Sequence, residues 1–298
     1  MAVDKIIDPH HHLWDLENYS YPWLRQTGEP VAPIAGSLRP IMKSYLQDDY
    51  NEDARQWNVV KDVHIDALSG DILAESAWLQ TLNDAAGRPT GFVAHADLES
   101  PNVERILAKH AGYGAARGIR QILNWHPDSR YTFIQRKDLL TDSQWNKGFK
   151  LLKTYGLSFD LQIYPHQMHD ASRVAKENGD TTIVLNHAGM PLERDAVGLK
   201  LWRDGMRSLA SSSNVTVKIS GLGMVYPDWT TEGIRPIVLE TIDIFGIDRS
   251  MFASNFPVDK IYASFDRIYE AFFEIVSKFS DTDQQKLFHD NAARVYRL

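Results

Sequence analysis

The 298-residue chain contains no cysteine. This absence excludes disulfides, thiolate metal ligands, iron–sulfur clusters and a cysteine nucleophile. No stretch approaches the roughly 18 uninterrupted apolar residues of a membrane-spanning helix. The opening residues MAVDKIIDPHHH contain no cationic segment followed by an apolar one, so no secretory signal peptide is predicted. We therefore expect a cytoplasmic protein.

Positive charge is in short supply. Lys and Arg number 32 against 39 Asp and Glu, a formal net charge of −7. Nucleic acids and anionic membranes favour basic partners, so neither is expected to bind. The 43% of hydrophobic and 24% of charged residues are close to those of an ordinary soluble globular protein. The length suits one α/β barrel, so we predict a single domain over residues 1–298, with its oligomeric state left open.

Short apolar runs of strand length recur along the chain, and each is rich in Val, Ile or Phe. They are KIID (5–8), VVKDVHID (59–66), GFVAHAD (91–97), RGIRQIL (117–123), LSFDLQIY (157–164), TTIVLNHA (181–188), NVTVKIS (214–220) and SMFASNF (250–256). Segments with helical spacing lie between them, at 71–86, 103–111, 142–155, 195–210, 234–245 and 262–279.

The alternation of eight strands with helices predicts a parallel sheet, and eight units are the number that closes a (β/α)₈ TIM barrel. The fold class is therefore α/β, with a C-terminal helix. A doubly wound open sheet is the alternative, but no G-x-G-x-x-G follows the first strand. Two long segments, 13–42 and 124–140, interrupt the rhythm. Loops of this length are usually lids or binding loops, and both would leave the catalytic face of a barrel.

Three histidines follow the first strand. Strand side chains alternate between faces, so His10 and His12 point the same way and His11 points opposite. His187 stands at the matching end of the sixth strand. Two imidazoles at positions i and i+2 are placed to share a metal ion or a substrate group, and we predict that this cluster belongs to an active site.

Most other strands also end in polar groups, which are costly to bury unless they act. These groups are His64, Asp66, His95, Asp97, Arg120, Asp160, Gln162, Lys218, Ser220 and Asn255. Arg120 demands an anion, either the substrate or a structural carboxylate, with the substrate favoured. For Lys218 three roles stay open: buried structural cation, base with a lowered pKa, or carboxylate clamp. His64 and His95 are as well explained by the core as by function. His110, His169 and His289 lie in predicted helices and are expected to be exposed or packing residues.

Seven motifs together resemble the amidohydrolase superfamily. They are IIDPHHHLWD, RGIRQIL, DLQIYPHQ, TTIVLNHAGMP, VKISGL, MFASNFPVD and LFHDNAARVYRL, and they occur in the expected order from residue 6 to 298. The chain is most similar to the amidohydrolase-2 branch, which includes sugar-acid lactonases such as fuconolactonase and the pyrone-dicarboxylate lactonase. The resemblance is specific for the fold and much weaker for the substrate.

The resemblance implies that His10, His12 and His187 are the family's histidines of strands one and six. It also implies an acid on strand eight that takes a proton from water. Here the matching stretch is 253–257, and Asn255 replaces the Asp. An amide cannot accept that proton and is a poor metal ligand. Strand five offers Gln162, with His166 nearby, where the metal-dependent relatives have a stronger ligand. The resemblance therefore implies at most one weakly bound divalent ion, Zn²⁺ on His10, His12 and His187, or a metal-independent member of the lactonase branch.

We accordingly expect a hydrolase of the lactonase type that opens a small cyclic ester carrying carboxylate or hydroxyl groups. Its catalytic residues would be His10, His12, His187 and Asn255. The substrate, expected to be anionic, would be held by Arg120, Lys218, Gln162, His166, Trp14 and Trp125, with Tyr19 and Trp23 helping to exclude water. A histidine of the cluster, or Asp259 reaching back, would take the proton. The alternatives are a related decarboxylase acting on an aromatic or muconate-like acid, a barrel that binds without catalysis, and hydrolysis of an amide or unrelated ester.

Overall fold

The structure, a computed structural model, describes residues 3–25, 31–32, 34 and 36–298. Its centre is an eight-stranded parallel sheet in which neighbours in sequence are neighbours in space. The strands are β1 (Ile6–His11), β2 (Val59–Ile65), β3 (Gly91–His95), β4 (Ala116–Ile122), β5 (Ser158–Gln162), β6 (Ile183–Leu185), β7 (Val215–Ile219) and β8 (Ser250–Phe252). All eight predicted strands are confirmed, although several end earlier than their apolar runs.

The sheet closes where the segment after β8 meets β1. Asn255 N donates to His10 O at 2.8 Å, and His12 N donates to Phe256 O at 2.7 Å. The TIM barrel predicted from the eight-fold alternation is thereby confirmed, and the doubly wound alternative is excluded. Closure also brings the first and last strands together, so His10 and Asn255 become neighbours although 245 positions separate them.

Helices follow the strands, and most of them cover the outside of the barrel. They are α1 (Gln47–Asp53), α2 (Ile72–Ala86), α3 (Val103–Ala111), α4 (Ser143–Thr154), α5 (Met168–Glu177), α6 (Ala196–Ala210), α7 (Leu222–Val225), α8 (Thr231–Phe245), α9 (Phe265–Ile275), α10 (Asp281–Gln285) and α11 (Asn291–Tyr296), with a π-helix over Lys286–Asp290. No helix among the described residues is long and apolar enough to cross a membrane.

Local sequence explains where the outer helices begin and end. The Asp71 carboxylate accepts from Leu73 N and Ala74 N at the start of α2, and Gly87 ends that helix in a left-handed conformation. Asp142 and Asp195 cap α4 and α6 in the same way. The short helices α1 and α7 were not predicted, because fewer than two turns give too little periodicity to detect.

Two long loops leave the carboxyl ends of β1 and β4. The first is closed at its base by a pair of backbone hydrogen bonds between Trp14 and Tyr45, at 2.8 and 3.0 Å. Pro30 and Pro33 of this loop lie outside the described residues. The second loop contains 3-10 turns at Ser129–Tyr131 and Leu139–Thr141. Both loops therefore stand at the catalytic face, as predicted.

The C-terminal helix contributes to the barrel interior. Val295 and Tyr296 of α11 form one cluster with alternate residues of the strands, including Ile7, Val63 and Val184. The Tyr296 hydroxyl hydrogen-bonds both carboxylate oxygens of Asp160 on β5, at 2.9 and 3.0 Å. The last residues of the chain thus reach the groups at the centre of the barrel.

Candidate active site

A cavity of about 210 Å³ opens at the carboxyl ends of the strands. Both long loops contribute to its wall, Trp23 and Ile34 from the first and Thr132 and Phe133 from the second. The strand ends and following loops supply the other lining residues, which are His12, Asp66, Ala67, Leu68, Arg120, Ile122, Gln162, His187, Met224, Asn255 and Val258. Most polar groups lie at or just beyond the strand ends and most of the apolar ones in the loops, which suits a small ligand with one reactive polar side.

Three imidazoles meet at this end of the barrel. The ring of His10 lies 5.1 Å from that of His12 and 4.7 Å from that of His187, measured between centroids. His12 and His187 line the cavity, whereas His10 lies against both rings and is completely buried. His11 points the other way, 4.4 Å from the ring of Tyr50. The structure therefore brings His10, His12 and His187 together and separates His11 from them.

Hydrogen bonds orient each ring of the cluster. His12 Nδ1 lies 2.7 Å from the Ile65 carbonyl oxygen, and His187 Nδ1 lies 3.0 Å from Ser220 Oγ. Gly221 must be a glycine, since a Cβ there would stand 2.4 Å from His187 Nδ1. His187 itself has a φ of 55°, a left-handed value uncommon for a non-glycine residue and frequent at functional sites.

Burial keeps the cluster neutral. It lowers the pKa of His12 to about 3, with the positive charge of Arg120 as the next cause. The pKa values of His10 and His187 are also lowered well below the ordinary value by burial, reinforced by Lys218 and Arg120. The three rings are therefore uncharged at neutral pH and present a mixture of N–H donors and lone pairs.

Arg120 already has an anion in the protein. Its Nε donates to Asp66 Oδ2 at 2.5 Å, its Nη2 donates to the Asp66 carbonyl, and its Nη1 lies 3.2 Å from Gln162 Oε1. Burial alone would raise the pKa of Asp66, but Arg120 and His95 lower it below the ordinary value, so the carboxylate is ionised. Of the two partners considered for Arg120, the structure contains the structural carboxylate.

Lys218 lies beneath the cavity and not on its wall. It is fully buried, 2.6 Å from Asp160 Oδ2 and 3.3 Å from His10 Nδ1. Burial lowers its pKa to about 8, against the opposing attraction of Asp160. A direct clamp on a substrate carboxylate, one of the three roles considered, does not fit this position.

Asn255 lines the cavity at the closure of the barrel. It is 1% exposed, and its Nδ2 lies 3.7 Å from Met224 Sδ. A φ of 57° places it in the left-handed region, where Asn is among the favoured side chains. Burial raises the pKa of nearby Asp259 to about 8, and its interactions with the Asn255 side chain and the Gly221 backbone oppose this shift. Asp259 does not line the cavity, so the structure does not place its carboxyl where it was expected to take the proton.

Several residues predicted to bind substrate lie elsewhere. His166 is exposed and neighbours Trp125, with ring centroids 6.2 Å apart, and neither lines the cavity. Trp14 is buried behind His12, its Nε1 donating to the Lys43 carbonyl at 2.7 Å. Tyr19 packs on Trp78. Of the four aromatic residues expected to close over the substrate, Trp23 lines the cavity and is held by a 2.7 Å bond to the Ala67 carbonyl.

Sequence reasoning did not single out the apolar part of the wall. Phe133, Met224 and Val258 follow three different strands and meet only because the barrel closes. Phe133 lies in a loop, Met224 in the short helix α7 and Val258 in a 3-10 turn, all too short to show the period that marks a buried face, so their positions in the sequence carry no signal. Thr132 and Phe133 could have been suspected only from the length of their loop.

The side chains around the histidine cluster do not form the expected metal site. Across residues 3–25, 31–32, 34 and 36–298, no three His, Cys, Asp or Glu side chains are placed to hold one. Asn255 and Gln162 bring amides where carboxylates would bind more strongly. The Lys218 ammonium stands beside His10, and a cation is opposed there by its charge. These residues do not fit the predicted His10, His12 and His187 ligand set.

Comparison with known proteins agrees with this architecture. A family model described as Amidohydrolase matches residues 7–298. An uncharacterized protein, y4mH, from Sinorhizobium fredii is 45% identical over the whole of both chains. An L-fucono-1,5-lactonase from Burkholderia multivorans is 28% identical over 98% of this chain and 96% of the relative. A solved amidohydrolase structure from Burkholderia multivorans, with bound zinc, has a TM-score of 0.82 and 24% identity, covering 98% of this chain and 99% of that one.

Proposed function

Because the chain belongs to the amidohydrolase family, we propose that it is a lactonase that opens a small, uncharged, hydroxylated cyclic ester. The observation that carries the proposal is the cluster of neutral imidazoles at the floor of the 210 Å³ cavity. A whole-length relative named as an L-fucono-1,5-lactonase supports the same reaction class. Lactone opening needs only polarisation of a carbonyl and a water, which such a cluster can provide.

Charge in the cavity favours an uncharged substrate. Arg120 is the one permanently cationic side chain among the described lining residues, and Asp66 neutralises it. Lys218 is neutralised by Asp160 and does not reach the wall. A substrate carboxylate would therefore be buried without an unpaired cation, at a cost that hydroxyl groups avoid. This pairing removes the reason for which an anionic substrate was expected.

The hydroxyl groups have partners of both kinds. The Gln162 and Asn255 amides both donate and accept, and the ionised Asp66 carboxylate accepts. The apolar Phe133, Met224 and Val258 would cover the carbon face of the ring. A mostly apolar wall with a few placed polar groups is the usual composition of a small-molecule site.

The proton transfer is assigned to His12. Its Nδ1 donates to the Ile65 carbonyl, so its Nε2 carries a lone pair. Water attacks the lactone carbonyl carbon while His12 Nε2 takes its proton. The ring C–O bond then breaks, and the proton passes to the leaving alkoxide. The low pKa of His12 makes it a weak base in the empty cavity, and the negative oxygen formed during attack raises its affinity for the proton.

The test measures hydrolysis through the protons that it releases. The substrates are L-fucono-1,5-lactone, other uncharged aldonolactones and a pyrone dicarboxylate, each with and without chelator. We expect the uncharged lactones to turn over and the chelator to leave the rate nearly unchanged. Exclusive activity on the dicarboxylate would overturn the charge argument. Release of carbon dioxide from aromatic acids without lactone turnover would favour the decarboxylase reading, and saturable binding without turnover the binding barrel.

The matched variants are Arg120→Lys and Asp66→Asn. If the pair acts as a neutral unit, Asp66→Asn exposes an uncompensated cation, and KM for a carboxylated lactone should fall while KM for the uncharged one rises. An unchanged preference in Asp66→Asn would mean that Arg120 does not set the charge of the site.

A further inference from the structure

A line of buried polar groups connects the C-terminal helix to the histidine cluster. Tyr296 OH donates to Asp160, whose Oδ2 lies 2.6 Å from Lys218 Nζ, and Lys218 Nζ lies 3.3 Å from His10 Nδ1. Asn186 Nδ2 donates to Asp160 Oδ2 at 2.9 Å. All four residues of this line are fully buried, namely Tyr296, Asp160, Lys218 and His10. None of them lines the cavity, so their arrangement is not explained by direct contact with a substrate.

The direction of these bonds follows from the chemistry of the groups. An ammonium has three donors and no acceptor. Asp160 holds one donor hydrogen of Lys218, and His10 Nδ1 is the ring nitrogen that faces another. A nitrogen that accepts this hydrogen carries no hydrogen itself, so the single proton of the neutral ring must lie on Nε2. His10 Nε2 is buried and has no hydrogen-bond partner in the protein.

We propose that Lys218 and Asp160 are positioning residues that fix His10 as the Nε2–H tautomer, making it a hydrogen-bond donor directly beneath the cavity and unfit to bind zinc. A ring nitrogen that carries a hydrogen has no lone pair for a metal. The unpaired N–H is instead a donor that gains a partner only when a ligand oxygen or a water arrives, and leaving it unpaired is costly.

His12 is held in the opposite tautomer. Its Nδ1 faces a carbonyl oxygen, which can only accept, so its Nε2 has the lone pair. The neighbouring rings of His10 and His12, 5.1 Å apart, therefore present one donor and one acceptor. A carbonyl and an attacking water need this pair of functions. The catalytic consequence rests on the proposed lactonase activity, whereas the tautomer itself does not.

The direct test is ¹⁵N-resolved NMR of the imidazole nitrogens in the intact protein, with His10 assigned from the His10→Gln variant. We expect a directly bonded hydrogen on His10 Nε2 and none on Nδ1, with the reverse pattern for His12. A hydrogen on His10 Nδ1 would overturn the proposal. This readout needs no substrate, so the absence of lactone turnover would count against the proposed function alone.

Variants test what fixes the tautomer. Lys218→Met removes the donor to Nδ1, and we expect His10 to shift toward the Nδ1–H form, zinc affinity to rise about tenfold or more, and kcat to fall by about 10- to 100-fold with little change in KM. Tyr296→Phe leaves the Lys218–His10 contact intact and serves as the matched control. It should keep the Nε2–H signal and the weak zinc binding.

Lys218→Met leaves the Asp160 carboxylate buried without its cation and is expected to lower stability. The double variant Lys218→Met/Asp160→Asn removes both charges and keeps the experiment decisive. Its folded form should show the same tautomer shift and zinc gain as the single variant. Unchanged zinc affinity and an unchanged Nε2–H signal in the double variant would show that Lys218 does not set the tautomer.

Discussion

Three consecutive histidines, His10, His11 and His12, take different environments because strand side chains alternate. His12 lines the cavity, His10 lies beneath it, and His11 packs against Tyr50 with its Nε2 3.7 Å from Asp62. One residue of shift would exchange all three environments. Function at this site therefore depends on register as much as on residue type.

Replacement of each histidine separates catalysis from packing. We expect His12→Ala to lower kcat by at least about 100-fold, because the cavity loses its acceptor, with the melting temperature little changed. His10→Ala should also lower kcat strongly. His11→Ala should leave kcat per folded molecule nearly unchanged and cost roughly 1–3 kcal/mol of stability through lost packing. Equal kcat losses for all three, with folding checked by circular dichroism, would contradict the assignment.

Asn255 has a left-handed backbone conformation and also supplies a hydrogen-bonding amide to the site. Its left-handed φ of 57° means that Asn255→Ala changes both the side chain and the backbone strain. Asn255→Gly keeps the conformation and removes only the amide, so it is the cleaner variant.

We predict that Asn255→Gly lowers kcat by roughly 10²-fold, equivalent to about 2.7 kcal/mol, if the amide orients water or substrate. Asn255→Asp should bring a second carboxyl close to Asp259 and increase zinc binding, measured by competition with a chromogenic chelator. A wild type without turnover together with an active Asn255→Asp would support a binding barrel in place of a lactonase.

At the scale of elements, helix α2 carries an acidic residue on its buried face. Glu75 is 1% exposed, and its Oε1 accepts from Ala67 N at 3.2 Å. Burial raises the pKa of Glu75 to about 8, with the Asp66 charge as the next cause. The helix thus places a proton-binding group behind the Arg120–Asp66 pair.

This raised pKa predicts a pH-dependent stability difference. Between about pH 4.5 and 8 the folded state holds the Glu75 proton while the unfolded chain releases it, so stability falls as pH rises, by up to about 1.4 kcal/mol per pH unit. Glu75→Gln removes this dependence and should become increasingly more stable than wild type from pH 5 to 8 in urea titrations. Glu104→Gln, at an exposed position of α3, is the control. A constant difference across this range would contradict the raised pKa.

Loops and strands contribute different residues to the site. The strand ends supply Arg120, Gln162 and, just beyond them, His12 and His187, all held by the barrel. The two long loops supply Trp23 and Phe133, which line the cavity. Substrate preference among ring sizes is therefore expected to depend on the loops, and the reaction itself on the strands.

On the scale of the whole molecule, the C-terminal helix α11 supports the centre of the barrel. Tyr296 is fully buried and bonds the carboxylate that also holds Lys218. Tyr296→Phe removes one donor from Asp160 and leaves Lys218 and Asn186 in place. We expect a stability loss of about 1–3 kcal/mol with kcat changed less than about threefold, measured by thermal unfolding and lactone hydrolysis. Tyr155→Phe, half-buried after α4, is the comparison. A tenfold loss of kcat without a stability change would assign Tyr296 a role in the reaction.

Eight strands, most of the helices, the family and the histidine cluster could be predicted from the sequence alone. Each of these depends on local pattern: apolar runs, helical spacing, capping residues, and motifs in a fixed order. The strand period of two was enough to put His10 and His12 on one face and His11 on the other, because alternation is a property of the backbone.

The pairing of the charges, in contrast, depends on how the barrel folds. Arg120 and Asp66 are 54 positions apart and Lys218 and Asp160 are 58 apart, and nothing in the sequence of either strand indicates that these pairs meet and neutralise each other. Closure of the barrel also determined that Trp14, His166 and Lys218 lie off the cavity wall while Phe133 and Met224 line it. Side-chain direction at a strand end depends on the twist and register of eight strands together, which no single segment specifies.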